Sequence, residues 1–64
     1  MKIKHNETYG QFVKRIRQTA NLTQEDFATA TGLGVNSVCH WEKGRYEPNF
    51  ISRRAIDEFA RKLK

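Results

Sequence analysis

The single cysteine, Cys39, is the feature that most narrows what this chain of 64 residues can become. Domains smaller than the usual ~100 to 150 residues often need disulfides or a structural metal to compensate for a small core. One thiol cannot close an intramolecular disulfide, and it excludes a zinc site built on cysteine pairs. Side-chain packing must therefore hold one compact unit together unaided. Hydrophobic residues make up 38% of the chain, with 4 Gly and 1 Pro, which is too apolar and too little punctuated for a disordered or collagen-like polymer. No stretch approaches the ~20 apolar residues of a membrane-spanning helix. The opening Met1-Lys2-Ile3-Lys4-His5 is basic but no apolar run follows it, unlike a secretory signal. With a lone thiol suited to a reducing compartment, the expectation is a cytoplasmic protein.

The apolar spacing is helical throughout. Residues 1 to 8 contain only Met1 and Ile3 among polar and basic neighbours, and are expected to form a frayed basic tail ahead of a domain over residues 9 to 64. Thr8 followed by Gln11 is a capping-box pattern, and Phe12, Val13, Ile16 and Ala20 then recur at helical spacing, predicting a first helix from Tyr9 to Ala20. Thr23 is the next cap, with Glu25 and Asp26 placed favourably at the positive end of a second helix that runs to Thr31. Gly32-Leu33-Gly34 then makes a turn, since each glycine costs about 1 kcal/mol in a helix interior. A third helix covers Val35 to Lys43 until Gly44 stops it. Pro48 is placed to open a last helix, along one side of which Ile51, Ala55, Ile56, Phe59, Ala60 and Leu63 are expected to lie. The fold class is all-α, a compact bundle of four or five short helices. Its main core is expected to be Phe12, Ile16, Leu22, Phe27, Leu33, Val38, Trp41, Ile56 and Phe59.

Twelve Lys and Arg against seven Asp and Glu give a formal charge of +5, which favours an anionic partner. Two short helices joined by a glycine-containing turn, over residues 24 to 43, form a helix-turn-helix arrangement. Leu22-Thr23-Gln24-Glu25-Asp26-Phe27-Ala28, then Gly32, Val38, Trp41-Glu42-Lys43-Gly44 and Pro48 fall at fixed offsets. That set resembles the Xre/Cro family of lambda-repressor-like helix-turn-helix domains. Gly32-Leu33-Gly34-Val35-Asn36-Ser37 with His40-Trp41-Glu42-Lys43-Gly44 is also similar to a stretch in the DNA-binding domains of some antitoxins, with His40 where those carry Arg. The resemblance implies a sequence-specific regulator of transcription, expected to be a repressor, that binds double-stranded operator DNA as a homodimer. It also implies an ion pair between Arg17 and Glu42, and a phosphate contact by Gln24 that at the same time supports the recognition helix.

Physical chemistry reaches the same residues from another side. A helix in the major groove reads base edges with its outward, N-terminal side chains while its other face packs on the domain. In the third helix Val38 and Trp41 supply the packing face, leaving Val35, Asn36, Ser37, Cys39, His40 and Lys43 outward or at the border. Asn36 can pair with adenine, Val35 can contact a thymine methyl, and His40 can donate to a purine N7 or a phosphate. Val35, Asn36, Ser37 and His40 are therefore the candidate base readers. Thr23, Gln24, Lys43 and Arg45 are the candidate phosphate contacts, with a solvated loop as the competing role for the last two. The competing roles for Asn36 and His40 are a turn cap and a plain surface histidine. Cys39 reads as a small border residue.

No carboxylate pair, nucleophile with its base, phosphate loop or metal-ligand set can be assembled, so neither an enzyme nor a cofactor is expected. The rival role is a protein-interaction or antitoxin-like module using the last helix. Phe50, Ile51 and Phe59, or the N-terminal tail, are the surfaces on which a partner or a second copy would dock. Arg53, Arg54, Arg61, Lys62 and Lys64 read as a solvated face.

Overall fold

Four helices are present in the computed structural model, which describes residues 1–63: α1 (Tyr9–Thr19), α2 (Gln24–Thr31), α3 (Val35–Glu42) and α4 (Phe50–Arg61). Three of them begin where a side-chain oxygen meets an unpaired backbone N–H of the first turn. At α1 the capping box is complete, Gln11 N–H donating to Thr8 Oγ1 at 3.1 Å and Thr8 N–H to Gln11 Oε1 at 3.0 Å. Thr23 Oγ1 accepts from Asp26 N–H at 3.0 Å to start α2. Asn49 Oδ1 does the same for Ser52 N–H at 2.8 Å to start α4, so Asn49 caps this helix and the buried Pro48 fixes the chain ahead of it. Helices α2 and α3 end before Gly32 and Gly44, which have φ of 75° and 77°. A side chain at these left-handed positions would be strained.

The core is formed by Phe12, Val13 and Ile16 of α1, Phe27 and Ala28 of α2, Val38 and Trp41 of α3, and Ile56 and Ala60 of α4. Helix α3 is gripped by both α1 and α2. Helix α1 comes close because Gly10 has no side chain: a Cβ there would lie 1.8 Å from the carbonyl oxygen of Trp41. Leu22, Leu33 and Phe59, expected in the main core, are partly buried instead and pack on its rim. Leu22 and Leu33 stand in the turns between helices, and Phe59 packs edge-on to Phe27 at 5.0 Å between ring centroids.

Three expectations are corrected. Ile51 is 76% exposed and does not share the buried side of α4. It precedes Ile56 by five residues, which at about 100° per residue places it about 140° round the helix. Residues 1 to 7 are not a frayed tail. The Met1 amino group donates to the Ala60 carbonyl at 2.7 Å, Ile3 packs on the core, and Arg15 binds the Glu7 carboxylate through Nε and Nη2, each at 2.8 Å. Arg15 Nη2 also donates to the Lys2 carbonyl at 2.8 Å. Arg53 is not on a solvated face either: it is half-buried, its guanidinium 4.9 Å from the centre of the Tyr9 ring and its Nε donating to the Pro48 carbonyl at 2.9 Å. The long arginine fills what an apolar residue would fill, by covering an aromatic face with its delocalised cation. Arg54, Arg61 and Lys62 are exposed as expected, and Lys64 lies outside the described residues.

Candidate nucleic-acid interface

Helix α3 is eight residues long, or ~12 Å at 1.5 Å per residue. Its inward face is Val38 and Trp41, both buried. Its outward face begins with the exposed Val35 and Asn36, and continues through Ser37, Cys39 and His40, which are half-buried, to the exposed Lys43 at its C-cap. Asn36 and His40 stand one turn apart on the outward face, with Val35 at its other edge, about 140° round the helix from His40. Gly34 caps the helix without a side chain, so the first N–H groups of α3 carry no side-chain partner.

What holds this helix in place is a polar knot at its far end. Arg17 of α1 donates from Nε to Glu42 Oε2 and from Nη2 to Glu42 Oε1, both at 2.9 Å, and from Nη1 to the Leu22 carbonyl at 2.9 Å. The two ion-pair side chains are only 14% and 6% exposed. Gln24, at the first position of α2, donates from Nε2 to Glu42 Oε1 at 3.2 Å. One carboxylate thus ties α1, α2 and the end of α3 together. The hydrogen bonds to Glu42 raise the Arg17 pKa, against the opposing effect of enclosure, so the guanidinium stays charged throughout.

The remaining candidates are placed less centrally. Thr23 is exposed and its hydroxyl oxygen is engaged in the α2 cap. Gln24 is half-buried with one amide hydrogen directed to Glu42, which leaves its other hydrogen and its oxygen free. Lys43 and Arg45 are exposed, in a turn closed by Gly44 N–H to the Trp41 carbonyl and Arg45 N–H to the His40 carbonyl, each at 3.0 Å.

Two contributors carry no signal in the sequence. Gly10 lets α1 approach α3, yet one glycine inside a helical pattern carries no distinguishing mark. Tyr46 lies beside His40, ring centroids 5.5 Å apart and planes tilted by 43°. It follows the end of α3 in a stretch with no periodicity to reveal the contact. On α4, Phe50 is 72% exposed beside Ile51, while Phe59 is packed away. An open cleft of about 610 Å³ lies elsewhere, between the first residues of the chain and α4, lined by Met1, Ile3, Tyr9 and Asp57 among others. Among the described residues no three His, Cys, Asp or Glu side chains come together to hold a metal ion, and no helix is long and apolar enough to cross a membrane.

Comparison with curated proteins and with solved structures gave no match. The family model of the helix-turn-helix domain matches residues 8–64, nearly the whole of the chain and all four helices, and the chain belongs to that family.

Proposed function

We propose that the chain is a sequence-specific regulator of transcription of the Xre/Cro type, a repressor, that inserts α3 into the major groove of double-stranded DNA. The observation that carries this reading is the outward face of α3, with Asn36 at its middle and Val35 and His40 to either side, on a short helix whose other face is locked into the core. A helix of this width fits a groove ~12 Å wide, and side chains near its N-terminus reach base edges first. Asn36 pairs with adenine through its amide, Val35 meets a thymine methyl, and Ser37 and His40 complete the base contacts. Thr23, Gln24, Lys43 and Arg45 meet flanking phosphates. The charge of +5 supplies the sequence-independent attraction. The role is binding rather than catalysis, in the cytoplasm where such operators reside.

One helix reads only a few base pairs, so the functional unit is a homodimer on an inverted repeat. The molecule measures 27 × 26 × 20 Å. Two copies therefore fit side by side on half-sites about 34 Å apart, one turn of the duplex. A second reading, a protein-interaction or antitoxin-like module, draws on the paired exposure of Phe50 and Ile51 at the start of α4.

Selection of bound duplexes from a random library, near physiological salt, separates the readings. An enriched inverted repeat is the expected result. A single enriched half-site means that pairing needs another component, and no enrichment sinks the DNA-reading proposal in favour of the α4 module.

A further inference from the structure

We infer that His40 reads a hydrogen-bond acceptor through Nε2–H alone, at a guanine edge, and that Tyr46 is the positioning residue that fixes this choice. The inference rests on the DNA-reading role proposed above and specifies it at one position of the site. His40 Nδ1 is buried and has no hydrogen-bond partner. Nε2 is not enclosed in this way and makes no hydrogen bond among the described residues, so it is the ring nitrogen available to a ligand. A neutral imidazole has one hydrogen to place on two nitrogens. On Nδ1 it would be a buried donor without an acceptor, the rarer and costlier kind of unsatisfied group. On Nε2 it faces outward, and the enclosed Nδ1 is left as a bare acceptor. The ring therefore offers a donor and no acceptor.

That asymmetry selects among base edges. In the major groove guanine presents two adjacent acceptors, N7 and O6, and thymine a single one, O4, beside its methyl group, whereas adenine sets an N6 donor beside its N7 and cytosine presents a donor. A single outward N–H is satisfied best by guanine. Tyr46 makes the choice rigid. Its ring lies 5.5 Å from the imidazole, tilted by 43°, in the loop that leaves α3. Without that ring the imidazole can turn about χ2, exchange its two edges and lose its preference.

The test uses the full chain and the best duplex from the library selection, with each guanine replaced in turn by 7-deazaguanine. For the wild-type protein one position should lose about tenfold in affinity, and His40→Ala should lose nothing further there. His40→Gln, whose amide nitrogen reaches as far as Nε2, should keep part of the preference, and His40→Asn, which ends at the level of Nδ1, should not. Tyr46→Ala should erase the guanine preference at that position while helicity and melting temperature stay as they are. Tyr46→Phe should behave as wild type. Equal loss by His40→Ala on selected and random duplexes would make His40 a phosphate contact and overturn the inference. Retention of the preference in Tyr46→Ala would overturn the role of Tyr46. If the wild type selects no duplex at all, the DNA-reading role falls first and this inference with it.

Discussion

Single side chains do two separable kinds of work here, and substitutions should separate them. Glu42 accepts from Arg17 twice and from Gln24 once in an enclosed setting. Removing one partner of such a pair leaves an uncompensated charge, at a cost of about 3 kcal/mol or more. In a domain of this size that lowers the melting temperature by roughly 12 °C or more. Thermal unfolding of Glu42→Ala followed by circular dichroism measures it, and an unchanged midpoint would show that the knot contributes no stability. Asn36, exposed and outward on α3, should behave in the opposite way. Asn36→Ala should leave stability within about 0.5 kcal/mol, yet cost on the order of 1 to 3 kcal/mol on the selected duplex and little on random DNA. Equal weakening on both would remove Asn36 from the base readers.

For whole elements, the placement of α3 depends on how closely α1 can approach it. Gly10→Ala sets two effects against each other. Alanine favours a helix interior by about 1 kcal/mol, but here its Cβ would lie 1.8 Å from the Trp41 carbonyl oxygen, which is backbone and cannot swing aside. Overpacking of this kind costs typically 1 to 3 kcal/mol and more where nothing yields, so the clash outweighs the propensity. Urea denaturation of Gly10→Ala should show a lower midpoint and weaker DNA binding together, because the same contact sets the angle of α3. A raised midpoint would mean that α1 shifts freely. At α4, Asn49→Ala removes the cap on Ser52 N–H and should cost about 1 kcal/mol.

The molecule as a whole is closed by its first residues, which run back against α4. The hydrogen bond from Arg15 holds the Glu7 carboxyl below the usual carboxylate range, against a smaller opposing effect of burial. Because the folded-state pKa is lowered, this stabilisation is complete above the ordinary value of ~4.3 and is lost as pH falls through the lower folded value. Glu7→Gln should therefore melt below the wild type near neutral pH, and the difference should shrink progressively on acidification below ~4.3. A difference constant across that range would show that ionisation of Glu7 is not what matters. Binding to DNA should also fall steeply with salt. Lys43→Ala should weaken selected and random duplexes alike and reduce the slope of log K against log salt by about 0.9. An unchanged slope would leave Lys43 without a phosphate contact.

Local interactions are the part of this protein that its sequence determined by itself. The caps Thr8 and Thr23, the stops at Gly32 and Gly44 and the apolar spacing of each helix involve neighbours within about one turn, and all are visible as short-range patterns. They suffice for four helices, an all-α class and an outward face on α3. Asn49 is a weaker signal for a cap than Pro48 beside it, and its role shows only in the hydrogen bond to Ser52 N–H. What only the tertiary structure decided lies between residues distant in the chain. The docking of residues 1 to 7 depends on Arg15 and Ala60, the burial of Arg53 on Tyr9, and the approach of α1 to α3 on Gly10 meeting Trp41. Phe59 belongs to the apolar side of α4, yet it is only partly buried and packs on the rim of the core beside Phe27. Periodicity says which residues share a helix face, but which part of that face is covered depends on where the neighbouring helices come to rest.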